Sequence, residues 1–393
     1  MTTETATRPA RTEAEIIEAA EALRPAFAER AADHDRDASF PHQNFQDLHA
    51  AGLLNLTVPR ELGGEGLGLE TCLRVLETVG AGDASTGLVL AMQYTFHAAL
   101  AIPDRRWPQE TYEEVVGASI EGVSLINAIR VEPELGTPAR GGLPATTASR
   151  TATGWRLDGH KIYVTGSPAL GHYLIWAKTD EDPVRVGTFV VPRGTPGTRI
   201  AQTWDHVGMR ATGSDDLILE GVEIPEAYAV DVRTPPDWMP RDVRVAFWNS
   251  IAISAVYHGV ATAARDWAVR FAQERIPTNL GRALATLPRF QTDVGRIETL
   301  LYQNEQLLYG LAARIDRDGA NADTPREAQF VKYTTTNNDV QVAQLAIDMG
   351  GNPGLTRRQP LERHLRDALC SRIHTPQDDM ILLNAGKLAL GVD

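Results

Sequence analysis

The sequence predicts an α+β multidomain protein: an N-terminal helical domain, a central β-barrel-like domain and a C-terminal four-helix bundle. Three observations predict it. Residues 125–225 form the one long stretch in which short apolar runs alternate with turn signals, the pattern of strands. The segments on either side carry apolar residues at helical spacing. Long helical segments joined by one or two long connections follow the β stretch, which suggests a bundle. A chain of 393 residues exceeds what one small core needs, and the expected division is 1–122, 123–234 and 235–393.

The elements follow in order. Thr12-Glu13-Ala14-Glu15 is a capping-box pattern, and Ile16, Ala20, Leu23 and Phe27 then share one helical face. Phe40-Pro41 breaks that helix, and a second short one is expected over 45–53. Gly63-Gly64-Glu65-Gly66-Leu67-Gly68 looks like a dinucleotide-binding loop but lacks the final glycine, because position 69 is Leu. No strand–loop–helix unit surrounds it, so a turn is expected. Helices at 69–79 and 85–102 complete an all-helical start. Within the β stretch, Asp158-Gly159 reads as a hairpin turn and Val186 to Val191 as a strand closed by Pro192. Pro235-Pro236 and Pro240 mark a boundary. Beyond it, helices are expected at 243–274, 294–316, 324–349, 361–370 and 378–390. Thr324 would be the N-cap of the third of these, and Gly350-Gly351 its stop. Asp378 and Asp379 suit a helix N-terminus.

Composition narrows the function. A net charge of −13 and a pI of about 5.3 argue against nucleic-acid binding, which needs a basic face. Cys72 and Cys370 build neither a disulfide framework nor a zinc pattern, and read as buried thiols in a reducing cytoplasm. No apolar run approaches membrane-spanning length, and the N-terminus lacks a signal-peptide core. A cytoplasmic protein is expected. No G-x-S-x-G elbow supports a serine hydrolase.

Six motifs in a fixed order carry a resemblance. They are Phe40-Pro41 with Val58-Pro59-Arg60-Glu61-Leu62-Gly63-Gly64, Val131-Glu132-Pro133-Glu134-Leu135-Gly136-Thr137, and Gly159-His160-Lys161-Ile162-Tyr163-Val164-Thr165. Then come Trp204 to Ser214 (WDHVGMRATGS), Glu274-Arg275 with Phe290-Gln291, and Gly350-Gly351-Asn352 with Pro360 to Asp367 (PLERHLRD). Along nearly the whole chain this series resembles the acyl-CoA dehydrogenase superfamily. The resemblance implies an FAD-binding oxidoreductase, or FMN in one branch, that assembles as a dimer or homotetramer. Val131, Tyr163 and Thr165 would lie near the isoalloxazine, although Val131 lacks the hydroxyl the family has there. Arg275 would cross to the partner subunit's pyrophosphate, with Gln291 beside it, and Gly350 and Gly351 would admit the adenosine half. Thr137 and Asn249 would face the substrate. The plain alternatives are alternating strand residues for Tyr163 and Thr165, a solvated helix end for Arg275, and a helix stop for the glycines.

The resemblance also exposes a gap. The family's base, a Glu, stands eight residues after the Asp of its R-D element; here Asp367 leads to Thr375, with His374 before it. A second family position for the base, on the first long bundle helix, falls in Phe247-Trp248-Asn249-Ser250-Ile251, which has no carboxylate. One branch of the superfamily shares the missing Glu and the His, and consists of flavin monooxygenases and N-hydroxylases fed by a flavin reductase. In that reading His374, and His97 as a second histidine, face the flavin and hold or shuttle a proton. Three functions are therefore expected as alternatives: an acyl-CoA dehydrogenase-type oxidoreductase with Thr375 at the Glu position, passing electrons to an electron-transfer flavoprotein; a two-component monooxygenase; or a non-catalytic flavin- or acyl-ligand-binding protein.

Overall fold

The structure, a computed structural model, describes residues 11–102, 105–135, 142–234 and 243–392. Thr137 and the prolines at 235, 236 and 240 lie outside them. The first helix, α1 (Glu13–Asp37), opens on the expected capping box: Glu15 N donates to Thr12 Oγ1 at 3.2 Å and Thr12 N to Glu15 Oε2 at 2.7 Å. Four more helices follow, α2 (His42–Ala50), α3 (Leu69–Gly82), α4 (Ala84–Leu100) and α5 (Gln109–Glu121). The Gly63–Gly68 run forms a turn, as its sequence suggests, and the Asp316 carboxylate from far along the chain caps α3 by accepting from Leu69 N and Glu70 N at 2.7 and 2.8 Å.

The β unit has strands β1 (Leu125–Ile129), β2 (Thr147–Arg150), β3 (Gly154–Val164), β4 (Leu170–Thr179), β5 (Val186–Pro192), β6 (Thr198–Ala201), β7 (Asp215–Pro225) and β8 (Ala229–Arg233). They form one sheet in the order β6-β7-β3-β2-β4-β5-β8, with β1 parallel to β4. The expected hairpin at Asp158-Gly159 is not there. Both residues lie inside β3, where the register against β7 slips between Leu157 and Gly159. The glycine serves close approach instead: a Cβ on it would come within 2.4 Å of Thr146 Oγ1, while Asp158 Oδ1 accepts from Gly221 N at 2.7 Å.

After the sheet come α6 (Val243–Glu274), α7 (Pro288–Asp318), α8 (Thr324–Gly350), α9 (Asn352–Leu355), α10 (Leu361–Leu369) and α11 (Asp378–Leu390). Two expectations need correction. The α7 helix starts at Pro288 rather than 294, because proline suits the first helical turn, and so takes in Gln291. Thr324 is the first residue of α8 rather than its cap, and its hydroxyl accepts from Asn321 N at 2.9 Å. Cys72 and Cys370 are buried free thiols. One hydrophobic cluster runs from Ile16 and Leu73 through Trp155 and Phe189 to Ile251 and Leu308, so sheet and both helical segments share a core.

A second joint sets the site. The loop carrying Trp204 and Met209 lies on α10: Met209 N donates to Asp367 Oδ1 at 2.6 Å, and a Cβ on Gly208 would sit 2.3 Å from Arg366 O. Gly208→Ala is therefore expected to destabilise the protein by about 1–3 kcal/mol, read as a lower Tm. An unchanged Tm would show that the loop lifts from α10 at no cost.

Candidate active site

On the sheet side, the end of β3 turns sharply. Tyr163 has φ of 59°, a left-handed backbone rare outside glycine, and its side chain is 52% exposed. Its ring meets Trp204 and His206 edge-on at 6.2 and 6.0 Å, and those two rings stack at 3.6 Å. Ile162 N donates to Val131 O at 3.0 Å, which places Val131 beside this turn. Thr165 Oγ1 pairs with Ser214 Oγ at 2.9 Å, Ser214 with Thr212 at 2.8 Å, and Thr212 donates to Met209 O at 3.0 Å. Val131, Tyr163 and Thr165 thus come together, tied through a hydroxyl chain to the loop on α10. Beneath them Lys161 Nζ donates to Glu132 Oε1 at 2.6 Å, both groups out of solvent. Burial lowers Lys161 to about 8 against the pull of Glu132; burial is also the largest influence on Glu132, pushing it up, but Lys161 together with the hydrogen bonds from Thr146 and Ala145 holds it low. The pair stays ionised at neutral pH and fixes the floor of the edge.

On the bundle side, His374 follows α10 and its Nε2 lies 2.7 Å from the hydroxyl of Tyr257 on α6. Tyr257 is fully buried, and burial raises its pKa well above the ordinary value, so it stays protonated. Its hydroxyl has no other acceptor among the described residues. We therefore assign the Tyr257 O–H as donor to Nε2, which leaves the His374 proton on Nδ1. Burial first, then the charge of Lys332, lower His374 to about 3, so the imidazole is neutral at any physiological pH. Lys332 is itself buried, reaches Ser371 O at 3.5 Å, and is lowered by burial to about 8 against the opposing pull of Asp378. Tyr257, Met209 and Cys370 share one small hydrophobic cluster, with Trp204 packed on it, so both sides of the site rest on common packing.

The stretch 247–251 on α6 and the segment after α10 touch each other. Asn249 Nδ2 donates to the backbone oxygen of Thr375 at 2.7 Å. Asp378, the nearest acid in sequence, accepts from Asn337 Nδ2 at 2.8 Å and is the first residue of α11, an acid in the first helical turn as its sequence suggests.

Other expected residues lie elsewhere. His97 sits in the interior with Nε2 at 3.3 Å from Ser119 Oγ on α5, burial lowers it to about 3, and no contact joins it to His374. Arg275 and Gln291 gather at the far end of α6, where Leu284 N donates to Arg275 O at 3.0 Å and Gln291 Nε2 to Ala285 O at 3.1 Å. Arg275 is exposed, and its guanidinium makes no ion pair among the described residues. Gly350 has a packing reason for being glycine, because a Cβ there would meet the Trp267 ring at 2.8 Å. Gly351, at φ 57°, ends α8. Tyr257 and Lys332 carried no motif; each is one residue in a helical run, and only the fold brings them to His374.

The fold and this two-sided site define a class, the flavin-dependent oxidoreductases built as helices, sheet and helical bundle. The family follows from comparison. Three family profiles match in order: the N-terminal domain of acyl-CoA dehydrogenase over 12–102, the middle domain over 131–222 and the C-terminal domain over 248–387. A protein of Bacillus subtilis (strain 168) named "Putative acyl-CoA dehydrogenase YdbM" is 32% identical over 91% of both chains. The chain belongs to the acyl-CoA dehydrogenase family. The L-evernosamine nitrososynthase of a Micromonospora species is 28% identical, over 94% of this chain and 88% of that one. The solved structure of KijD3 with FMN and dTDP-3-amino-2,3,6-trideoxy-4-keto-3-methyl-D-glucose matches with a TM-score of 0.86 at 26% identity, over 99% of this chain and 96% of that one. Among the described residues, no helix is long and apolar enough to cross a membrane, and no group of His, Cys, Asp and Glu is placed to hold a metal ion.

Proposed function

We propose that this protein is an oxygen-using flavin monooxygenase of the acyl-CoA dehydrogenase fold, of the N-hydroxylase kind, fed with reduced flavin by a separate reductase. One observation carries the reading: Thr375 and the stretch 247–251, where the resemblance puts the family's base, hold no carboxylate, and Asn249 and Thr375 are joined by a 2.7 Å hydrogen bond. Without a base, the α-proton of an acyl thioester has no acceptor. The similarity to a nitrososynthase and to KijD3 supports the same reading. The similarity to YdbM shows the family but brings no carboxylate to either position.

The sheet-side edge fits a flavin. The exposed Tyr163 ring offers a flat wall, and the Thr165 hydroxyl offers a donor or acceptor beside it. When bound, the flavin supplies two electrons, one atom of O2 goes to the substrate and the other leaves as water. Val131, Tyr163 and Thr165 hold the ring edge. Tyr257 fixes the tautomer of His374, and His374 holds or passes a proton at Nδ1. Arg275, Gln291, Gly350 and Gly351 receive the far half of an FAD from a partner copy in a homo-oligomer, which is consistent with an exposed Arg275 that makes no ion pair among the described residues. Asn249 faces the substrate.

The test is anaerobic. The protein is loaded with FAD or FMN and mixed with short-, medium- and long-chain acyl-CoAs while flavin absorbance is followed. No bleaching is expected. Bleaching by any acyl-CoA overturns the proposal in favour of the dehydrogenase.

A further inference from the structure

A cavity of about 350 Å³ adjoins the sheet-side edge through His206 and lies between the end of α1, the loop at 206–210 and α10. Its wall holds five arginines, Arg36, Arg210, Arg357, Arg363 and Arg366, against two acids, Asp35 and Glu362. That is unusual in a chain of net charge −13. The two acids are already used. Arg366 takes both, reaching Asp35 at 2.6 and 2.9 Å and Glu362 at 2.7 and 3.1 Å. Arg210 is held by Asp205 and by the carbonyls of Asp35 and His206, and Arg36 by Asp33 and Asp37.

Two guanidiniums remain. Arg363 is only 8% exposed, yet it has no hydrogen bond or ion pair among the described residues. Arg357 is exposed on the same wall, and it too has no partner among them. The Arg363 nitrogens are not among the fully buried unpaired atoms, so its five donors keep their opening on the cavity wall, where a ligand can take them. The field is felt next door, where burial and then Arg363 and Arg24 lower His364 to about 3.

We infer that this cavity is an anion site for a phosphate monoester or diphosphate group, with Arg363 as its buried anchor and Arg357 closing over it. A dianion matches two unpaired guanidiniums, and the planar forks suit phosphate oxygens. The cavity also has room beyond a single phosphate for the body of the molecule that carries it. The inference goes beyond the proposed reaction and does not depend on it.

The experiment uses flavin-loaded protein, so that the probe cannot settle in the flavin's own phosphate position. Inorganic pyrophosphate and inorganic phosphate are titrated calorimetrically into wild type, Arg363→Met and Arg357→Ala. Saturable binding of pyrophosphate to wild type is expected, weakened about tenfold or more in each variant, with flavin content unchanged. Arg357 is exposed, so its variant keeps the test valid even where Arg363→Met fails to fold. Absence of saturable binding to wild type, or equal affinity in Arg357→Ala, overturns the inference.

Discussion

Thr375→Glu is expected to give this protein acyl-CoA-dependent flavin reduction, at a rate about 100-fold or more above the wild-type background. The reasoning is local. Asn249 holds the backbone oxygen of residue 375 rather than its side chain, so the exchange keeps the anchor in place. What it adds is a carboxylate at the position where the proposed reading finds the base missing. Thr375→Gln, of the same size without a basic oxygen, is the control and should gain nothing. Reduction of flavin by acyl-CoA in an anaerobic stopped-flow instrument is the measurement. A folded Thr375→Glu protein that stays inert would mean that residue 375 does not face the acyl carbon.

His374→Ala is expected to lower oxygen-dependent turnover about 100-fold, and Tyr257→Phe about tenfold. Tyr257→Phe keeps the ring packing but frees Nε2 and with it the tautomer. The pH profile separates this from simple loss of structure. His374 is held neutral down to about 3, so the wild-type rate should show no inflection from it near the ordinary 6.5. An inflection there that disappears in His374→Ala would contradict the geometry. Stability follows the same sign. His97, His364 and His374 are all lowered to about 3, so below 6.5 the unfolded chain takes up protons that the native one refuses. The stability these three contribute is whole above 6.5 and is lost as pH falls toward 3.

Much of the fold was readable because it is written in local periodicity. The capping box at Thr12, the long runs of α6 and α8, and the stop at Gly350-Gly351 each depend on neighbours within a few residues. Asp158-Gly159 shows where that logic fails. The dipeptide permits a turn, but β7 pairs along both sides of it and Thr146 leaves no room for a side chain, so the sheet overrides the local preference. The site divides the same way. The resemblance, followed along single segments, pointed to His374, Thr375, Tyr163 and Thr165. It did not find Tyr257, which lies 117 residues from its partner, nor Lys332 on a third helix. It paired His97 with His374 although the fold sends their rings to different helices, α5 and α6. The arginine cavity was equally invisible, since its wall is drawn from residues 32–36, 206–210 and 357–366.

The most direct test of the central claim is the reaction of protein-bound reduced flavin with oxygen. Reduced FAD or FMN bound to the protein is mixed with oxygenated buffer, and flavin oxidation and hydrogen peroxide release are followed together. An oxygen-using site predicts oxidation in distinct phases, with peroxide released later than from free flavin and later than from His374→Ala. Single-phase oxidation with immediate peroxide, the same in wild type and His374→Ala, would contradict it.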